Sequence, residues 1–269
     1  MSGLFGKNVL VVVTGASQGI GQCIVEELAQ KVGPLSSFLL LARNGQKLVE
    51  LVDKISMNRP NAADSCAVLD LSSKEEKFAE KVVESFKDYV ETESYDLILI
   101  FHNAGTTGDN SKKAEEILDM TQWEDHMHVN LITTISLNNQ FLKVLKDTGL
   151  NVPTTIVDTT SLLAVRAFPS FSQYSVGKAA REAYFRAIAC ENDSIKTLSY
   201  SPGPVKTDMR IKIANTTFDE DTRVAFTDDE KTSEISRSAL TPKQTVTKLL
   251  SYLDENTFES GSRVDYFDI

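Results

Sequence analysis

Cysteine and histidine are scarce, three of each in 269 residues. Cys23, Cys66 and Cys190 are odd in number, far apart and free of any Cys-x-x-Cys pair, so neither a disulfide framework nor a thiolate metal site is supported. His126 and His128 stand two apart, a spacing that does not put them on one helix face, and no metal site is expected from them. No apolar run approaches the roughly 18 residues that span a bilayer, and the first residues lack signal-peptide character. A reducing cytoplasm is the expected compartment. Positive charge is also in short supply: 28 Lys+Arg face 38 Asp+Glu, for a net charge of −10. That balance argues against non-specific nucleic-acid or anionic-membrane partners, while leaving room for a small basic pocket.

What is present is the mixture of a globular chain, 41% hydrophobic and 25% charged. Short apolar runs at 9–13, 38–42, 67–69, 97–101, 155–157 and 195–200 read as strands, and residues 261–267 read as a seventh. They are near-continuously apolar, the pattern of parallel strands covered on both faces. Helical spacing fills the gaps at 20–31, 46–57, 74–91, 120–146 and 174–190. Thr241-Pro242-Lys243-Gln244 opens a further helix, with a Thr N-cap, Pro at the first position and Gln three residues on. Strand alternating with helix predicts an α/β fold, a doubly wound, seven-stranded parallel sheet with helices on both faces, in one domain spanning 1–269. Residues 206–238 break the pattern with many charges and little periodicity. A long irregular segment after a strand end is expected to be a lid over a site, with a plain surface loop as the alternative.

The segment Thr14-Gly15-Ala16-Ser17-Gln18-Gly19-Ile20-Gly21 follows the first strand and opens the first helix. Glycines there allow a sharp turn and let a pyrophosphate approach the helix N-terminus. The alternative is a purely structural turn. The second strand ends at Arg43-Asn44, where an acid would suit the ribose of NAD; a guanidinium suits the 2′-phosphate of NADP instead. Asp70, after the third strand, is placed to accept from an adenine amino group or to cap a helix, and both roles are compatible.

Tyr174 and Lys178 lie four apart, on one helix face. An ammonium about 4 Å from the phenol would stabilise its anion by up to about 4 kcal/mol at an effective dielectric of 20, lowering the tyrosine pKa before desolvation subtracts. Such a pair can exchange a proton with a carbonyl or alcohol. Ser161, just past the fifth strand, could hold a carbonyl oxygen or simply cap a loop. Asn130 is odd inside a helix and could relay protons or mark a bend. Asn103-Ala104-Gly105 would line the same cleft at the carboxyl edge of the sheet.

Taken together, TGASQGIG, Asp70-Leu71, HNAG at 102–105, Asn130, Ser161, YSVGK at 174–178 and Pro202-Gly203 resemble the short-chain dehydrogenase/reductase family over essentially the whole chain. The resemblance implies a Rossmann-like domain binding NADP(H) through Gly15, Ser17, Gln18, Gly19, Ile20, Gly21, Arg43, Asn44, Asp70, Leu71, Asn103, Ala104 and Gly105. Pro202, Gly203, Val205 and Thr207 would complete that set together with Tyr174 and Lys178. It implies Tyr174 as general acid, Lys178 as its partner and ribose ligand, Ser161 as the carbonyl-polarising group and Asn130 in a proton relay. LLLARN at 39–44, TTSLLA at 159–164, YSVGKAARE at 174–182, PGPVKTDM at 202–209 and the terminal SGSRVDYFDI are most similar to the sepiapterin-reducing branch. That similarity implies reduction of pterin side-chain ketones, as in tetrahydrobiopterin formation, with Ser161, Tyr174, Met209 and Asp265 at the substrate (Asp268 is the second candidate for the ring anchor). Reduction of other diketones, or a non-catalytic NADP sensor, are the alternatives. The resemblance also implies a homodimer through the helices at 120–146 and 174–190. Gln18 departs from the basic residue of many NADP-preferring members, which leaves that preference mainly to Arg43; His102 replaces a commoner Asn.

Overall fold

Apolar residues at every second strand position on both sides demand cover on both sides. The computed structural model, which describes residues 3–57, 59, 63–227 and 238–269, meets that demand with alternating elements. The chain runs β1 (Val9–Thr14), α1 (Gly19–Leu28), β2 (Ser37–Ala42), α2 (Gly45–Ser56), β3 (Ser65–Val68), α3 (Glu80–Thr92) and β4 (Leu97–His102). It continues through α4 (Met120–Met127), a π-helical turn (His128–Ile132), α5 (Thr133–Thr148), β5 (Thr154–Thr159), α6 (Ser172–Glu191) and β6 (Ile195–Ser201). It closes with α7 (Asp208–Thr216), α8 (Glu220–Thr227), α9 (Pro242–Glu255) and β7 (Ser262–Asp265). All neighbouring strands are parallel, in the order β3-β2-β1-β4-β5-β6-β7. This is the doubly wound, seven-stranded sheet expected from the sequence.

Two apolar layers sandwich the sheet. Val9, Val11 and Val13 pack with α1, α2 and α9, while Leu10 and Val12 face α3, α5 and α6. The winding reverses between β1 and β4, and the carboxyl ends of these two strands splay a crevice open. Among the described residues no helix is long and apolar enough to cross a membrane.

Three expectations need correcting. The helix expected over 74–91 begins only at Glu80; residues 75–80 form tight turns, with Phe78 N–H on the Glu75 carbonyl and Glu80 N–H on the Lys77 carbonyl. The helical row Val82, Phe86, Val90 begins after that charged stretch, and Phe78 and Ala79 reach the same core from the turns that precede it. The helix expected over 120–146 is interrupted by the π-helical turn, where Thr133 N–H bonds the His128 carbonyl five residues back. The Thr133 hydroxyl also donates to the His128 carbonyl (2.9 Å) and the Val129 carbonyl (3.2 Å), which holds the widened turn. Finally, the stretch 206–238 is not irregular where it is described: it holds α7 and α8. Arg210, buried, donates to the Ala225 carbonyl (2.9 Å), and Asp219 accepts from Thr222 N–H (2.8 Å), so the charged residues stitch the helix pair instead of solvating a loop. Residues 228–237 of that stretch lie outside the described residues.

Phe86 and Phe141, both fully buried, stack at 4.5 Å between α3 and α5. Phe141→Ala is expected to lower unfolding stability by about 3–5 kcal/mol, read from urea denaturation, with a smaller loss in Phe141→Leu.

Candidate active site

Thr14, the last residue of β1, joins the two strands at the switch point. Its hydroxyl donates to the Phe101 carbonyl (3.3 Å) and accepts from the amides of Asn103 (3.0 Å) and Ala104 (3.1 Å). The chain then turns at Gly15 with φ +70°, a conformation that a side chain would strain. A Cβ on Gly21 would lie 2.3 Å from the Gly15 carbonyl oxygen and 2.6 Å from Asn103 Nδ2, so α1 can press against the turn only with glycine there. The N-cap, Gln18, is extended and makes no side-chain cap. Among the described residues the leading N–H groups of α1 therefore have no capping side chain, beside a cleft of about 760 Å³ that runs along the carboxyl edge of the sheet. This cradle fits an anionic dinucleotide: amides at a helix start, a close backbone approach, and cationic Arg43 exposed at the far wall. Asn44 is occupied in capping α2 through Lys47 N–H (3.1 Å). Asp70 accepts from both the amide (2.9 Å) and hydroxyl (2.8 Å) of Ser72, which holds its carboxyl below the usual range; the nearby Arg43 charge adds a smaller push. It therefore shapes a turn, not the start of α3.

The cleft brings together every residue expected at the site except Gly21, which lies beneath the turn, and Asn130. Asn130 is buried in the π-helical turn. Its Oδ1 accepts from Thr106 N–H (2.8 Å), and its Nδ2 donates to the His126 carbonyl (3.0 Å). The amide thus braces the loop after β4 against α4, and the bend expected of it is real. Among the described residues no group of three or more His, Cys, Asp or Glu is arranged to hold a metal.

On α6, Tyr174 and Lys178 project one turn apart. Lys178 is buried, donates to the Thr159 carbonyl (2.5 Å) and lies 5.5 Å from the Tyr174 ring centroid. Ser161 stands beside the Tyr174 phenol and pulls its pKa down, and its hydroxyl accepts from Leu163 N–H (3.2 Å), so capping and site placement coexist in one side chain. Desolvation pushes the Tyr174 phenol up to about 12, against the opposing pull of the Arg181 charge and the Ser161 hydrogen bond. Desolvation and the same arginine push the Lys178 ammonium down to about 7. The expected net lowering of Tyr174 by Lys178 is therefore reversed. The ammonium is itself stripped of water and aimed at a carbonyl, and it cannot act at full strength on its neighbour. A phenol in this state remains protonated through neutral pH, ready to donate.

At the other end, the Asp265 carboxylate pairs with Arg263 (3.3 Å), and Arg263 also pairs with buried Glu182 of α6 (3.1 Å). Asp268, the second anchor candidate, accepts from Asp265 N–H (3.2 Å) and so serves the backbone of β7's end. Phe171 and Phe226 stack at 5.8 Å and wall the cleft between Tyr174 and α8. Sequence reasoning missed Arg181 and Arg263. The first shares its helix face with Tyr174 and Lys178, at spacings of seven and three, and that periodicity was the available signal.

The profile of a family described as short chain dehydrogenase matches residues 9–217. Sepiapterin reductase of Bos taurus is 32% identical over 274 residues, covering 100% of both chains. A benzil reductase of Bacillus cereus, described as (S)-benzoin forming, is 23% identical over 95% of this chain and 98% of its own. Among solved structures, a short chain dehydrogenase from Shigella flexneri complexed with NADP superimposes with a TM-score of 0.75 at 23% identity, covering 99% of this chain and 100% of that one.

The crowding at Gly21 gives a direct test of the cradle. Gly21→Ala is expected to weaken dinucleotide binding at least tenfold, about 1.4 kcal/mol, by titration calorimetry, and to lower the melting temperature of the protein alone as α1 is pushed off the turn.

Proposed function

The chain belongs to the short-chain dehydrogenase family, and from that premise we propose that this oxidoreductase is an NADPH-dependent reductase of pterin side-chain ketones, of the kind found in sepiapterin and 6-pyruvoyl-tetrahydropterin. The observation that carries the substrate reading is Asp265, an acid at the end of β7 that lines the same cleft as Tyr174 and Ser161. A carboxylate can accept two hydrogen bonds from a 2-amino-pyrimidinone edge. Full-length similarity to the bovine sepiapterin reductase supports the same reading.

The residues divide the work by position. Residues 15–21 and the start of α1 would hold the pyrophosphate, Arg43 a 2′-phosphate, and Asp70 and the 103–105 loop the flanking rings and ribose. The bound cofactor supplies reducing equivalents to the carbonyl carbon. Ser161 would donate to the carbonyl oxygen and orient it toward Tyr174. The Tyr174 phenol, kept protonated by burial, would deliver its proton to that oxygen as charge develops there. Lys178 lies within one helical turn to stabilise the phenolate left behind and to donate to ribose hydroxyls. Asn130, tied to the loop after β4, would keep the relay from Lys178 outward in place. Helices α7 and α8, which supply Met209 and Phe226 to the cleft wall, form the described part of the lid read from 206–238. Exposed Ile132 and Val176, on the π-helical turn and α6, suit a homodimer through these helices.

A second reading, reduction of other diketones, draws on the similarity to the benzil reductase and on the aromatic wall at Phe171 and Phe226. Following NADPH absorbance with sepiapterin and with benzil separates the two. Sepiapterin turnover is expected to fall at least about a thousandfold in Tyr174→Phe. In Asp265→Ala the KM for sepiapterin should rise at least tenfold while that for benzil stays put. Equal KM effects on both substrates would overturn the pterin assignment. For the cofactor, Arg43→Glu is expected to reverse the NADPH-over-NADH preference in kcat/KM; an unchanged ratio would remove Arg43 from the 2′-phosphate site.

A further inference from the structure

Among the described residues Arg181 is the largest of the fully buried side chains, and nothing in the reductase reading above uses it. Its guanidinium reaches from α6 onto the carboxyl edge of the sheet. Nη2 bonds the Asp158 carboxylate on β5 and the His102 carbonyl at the end of β4 (2.5 Å), and Nη1 bonds the Ala104 carbonyl (3.0 Å). Asp158 is as deeply buried, 1% exposed. Buried pairs of this kind are often no more stabilising than well-packed apolar residues of similar volume. Here Arg181 Nε and Asp158 Oδ2 also have no hydrogen-bond partner among the described residues. Packing and stability alone do not account for the pair.

Its position does. The two carbonyls it grips bracket Asn103, so the guanidinium fixes the backbone of the loop that lines the cleft beside Gly105. Asp158 is followed by Thr159, whose carbonyl holds Lys178 Nζ. Lys178 and Arg181, three residues apart on α6, therefore seize consecutive residues of β5. We infer that Arg181, compensated by Asp158, is a positioning residue of the reduction: it locks the 102–104 backbone against the catalytic helix and places a balanced charge pair directly behind Tyr174 and Lys178. The inference rests on the reductase reading but not on the pterin as substrate.

The electrostatic half has a sign that can be measured. Arg181 lowers, and Asp158 raises, the pKa values of both Tyr174 and Lys178. The other groups around them are Ser161, which lowers the phenol, and Glu182, which raises Lys178 but is itself paired with Arg263 of β7 and Arg186 of α6. His102 of β4 and His126 of α4 are both held near 4 by burial and stay neutral at working pH. Reduction needs Tyr174 protonated, so activity falls as pH rises through its pKa. Removing the Asp158 charge should bring that alkaline fall to lower pH; removing the Arg181 charge should send it higher.

The test is the pH profile of kcat/KM for NADPH-dependent carbonyl reduction by the full chain, from neutral to strongly alkaline pH. Asp158→Asn is expected to shift the alkaline limb down by about half a pH unit or more, and Arg181→Gln to shift it up or out of range. Arg181→Lys, which keeps the charge but loses the fork, should leave the limb in place while lowering kcat at least tenfold. If a single variant fails to fold, the charge-neutral pair Asp158→Asn with Arg181→Gln stands in: its limb should return to the wild-type position with kcat still depressed. Shifts in one common direction, or variants that lose only thermal stability with unmoved limbs and normal kcat, would reduce the pair to a structural bridge and overturn the inference. Absence of any carbonyl reduction by the wild-type chain would overturn the reductase reading instead, and the inference with it.

Discussion

A parallel sheet buried on both faces brings all its strand ends with one polarity to a single edge, and the placement of the cleft follows from that constraint. β1 and β4 close apolar runs on Thr14 and His102, and β5, β6 and β7 end on Thr159, Ser201 and Asp265. All the strands are parallel, so these ends gather at one edge, and the reversal between β1 and β4 opens that edge into a cleft. The helices that cover the faces then start where the strands stop. α1 begins at the glycine turn beneath the cleft and α6 carries Tyr174 and Lys178 along its wall.

Most of this was legible in the amino-acid order. Strand runs such as VLVVV and LLLA carry their burial in composition. The glycine turn and the Tyr174–Lys178 spacing carry local geometry that needs no distant partner. The α9 start is the clearest case: Thr241 and Gln244 cap each other as their spacing predicts. What escaped depends on partners far away in sequence. Arg181 and Asp158 are 23 residues apart, and no period in either segment reveals that a guanidinium will cross from a helix onto a strand. The π-helical turn escaped for a similar reason, since Thr133 is an ordinary helix residue until its hydroxyl finds two carbonyls behind it. The helices in 206–227 were hidden by charge. Arg210 looks like a surface residue and is instead covered, with its guanidinium over the Phe226 ring at 5.0 Å.

Electrostatics in the cleft also resists a pairwise reading. Lysine beside tyrosine suggests a mutual pull toward a charged pair. Both groups are desolvated, and each retreats toward its neutral form, the phenol up and the ammonium down. A neutral phenol is the useful state for giving a proton to a carbonyl and the wrong state for taking one from an alcohol. Burial of the pair therefore favours the protonation state that the proposed reduction needs.

β7 has a different consequence. It is a four-residue strand at the margin of the sheet, hydrogen-bonded on one side only, and it lies beyond Thr217, where the match to the family profile stops. The groups proposed to make and break bonds sit on interior elements within the family profile, while the acid proposed to choose the molecule sits on a marginal strand outside it. An architecture divided in this way lets the proposed ring anchor change at the margin of the sheet while the machinery inside stays as it is.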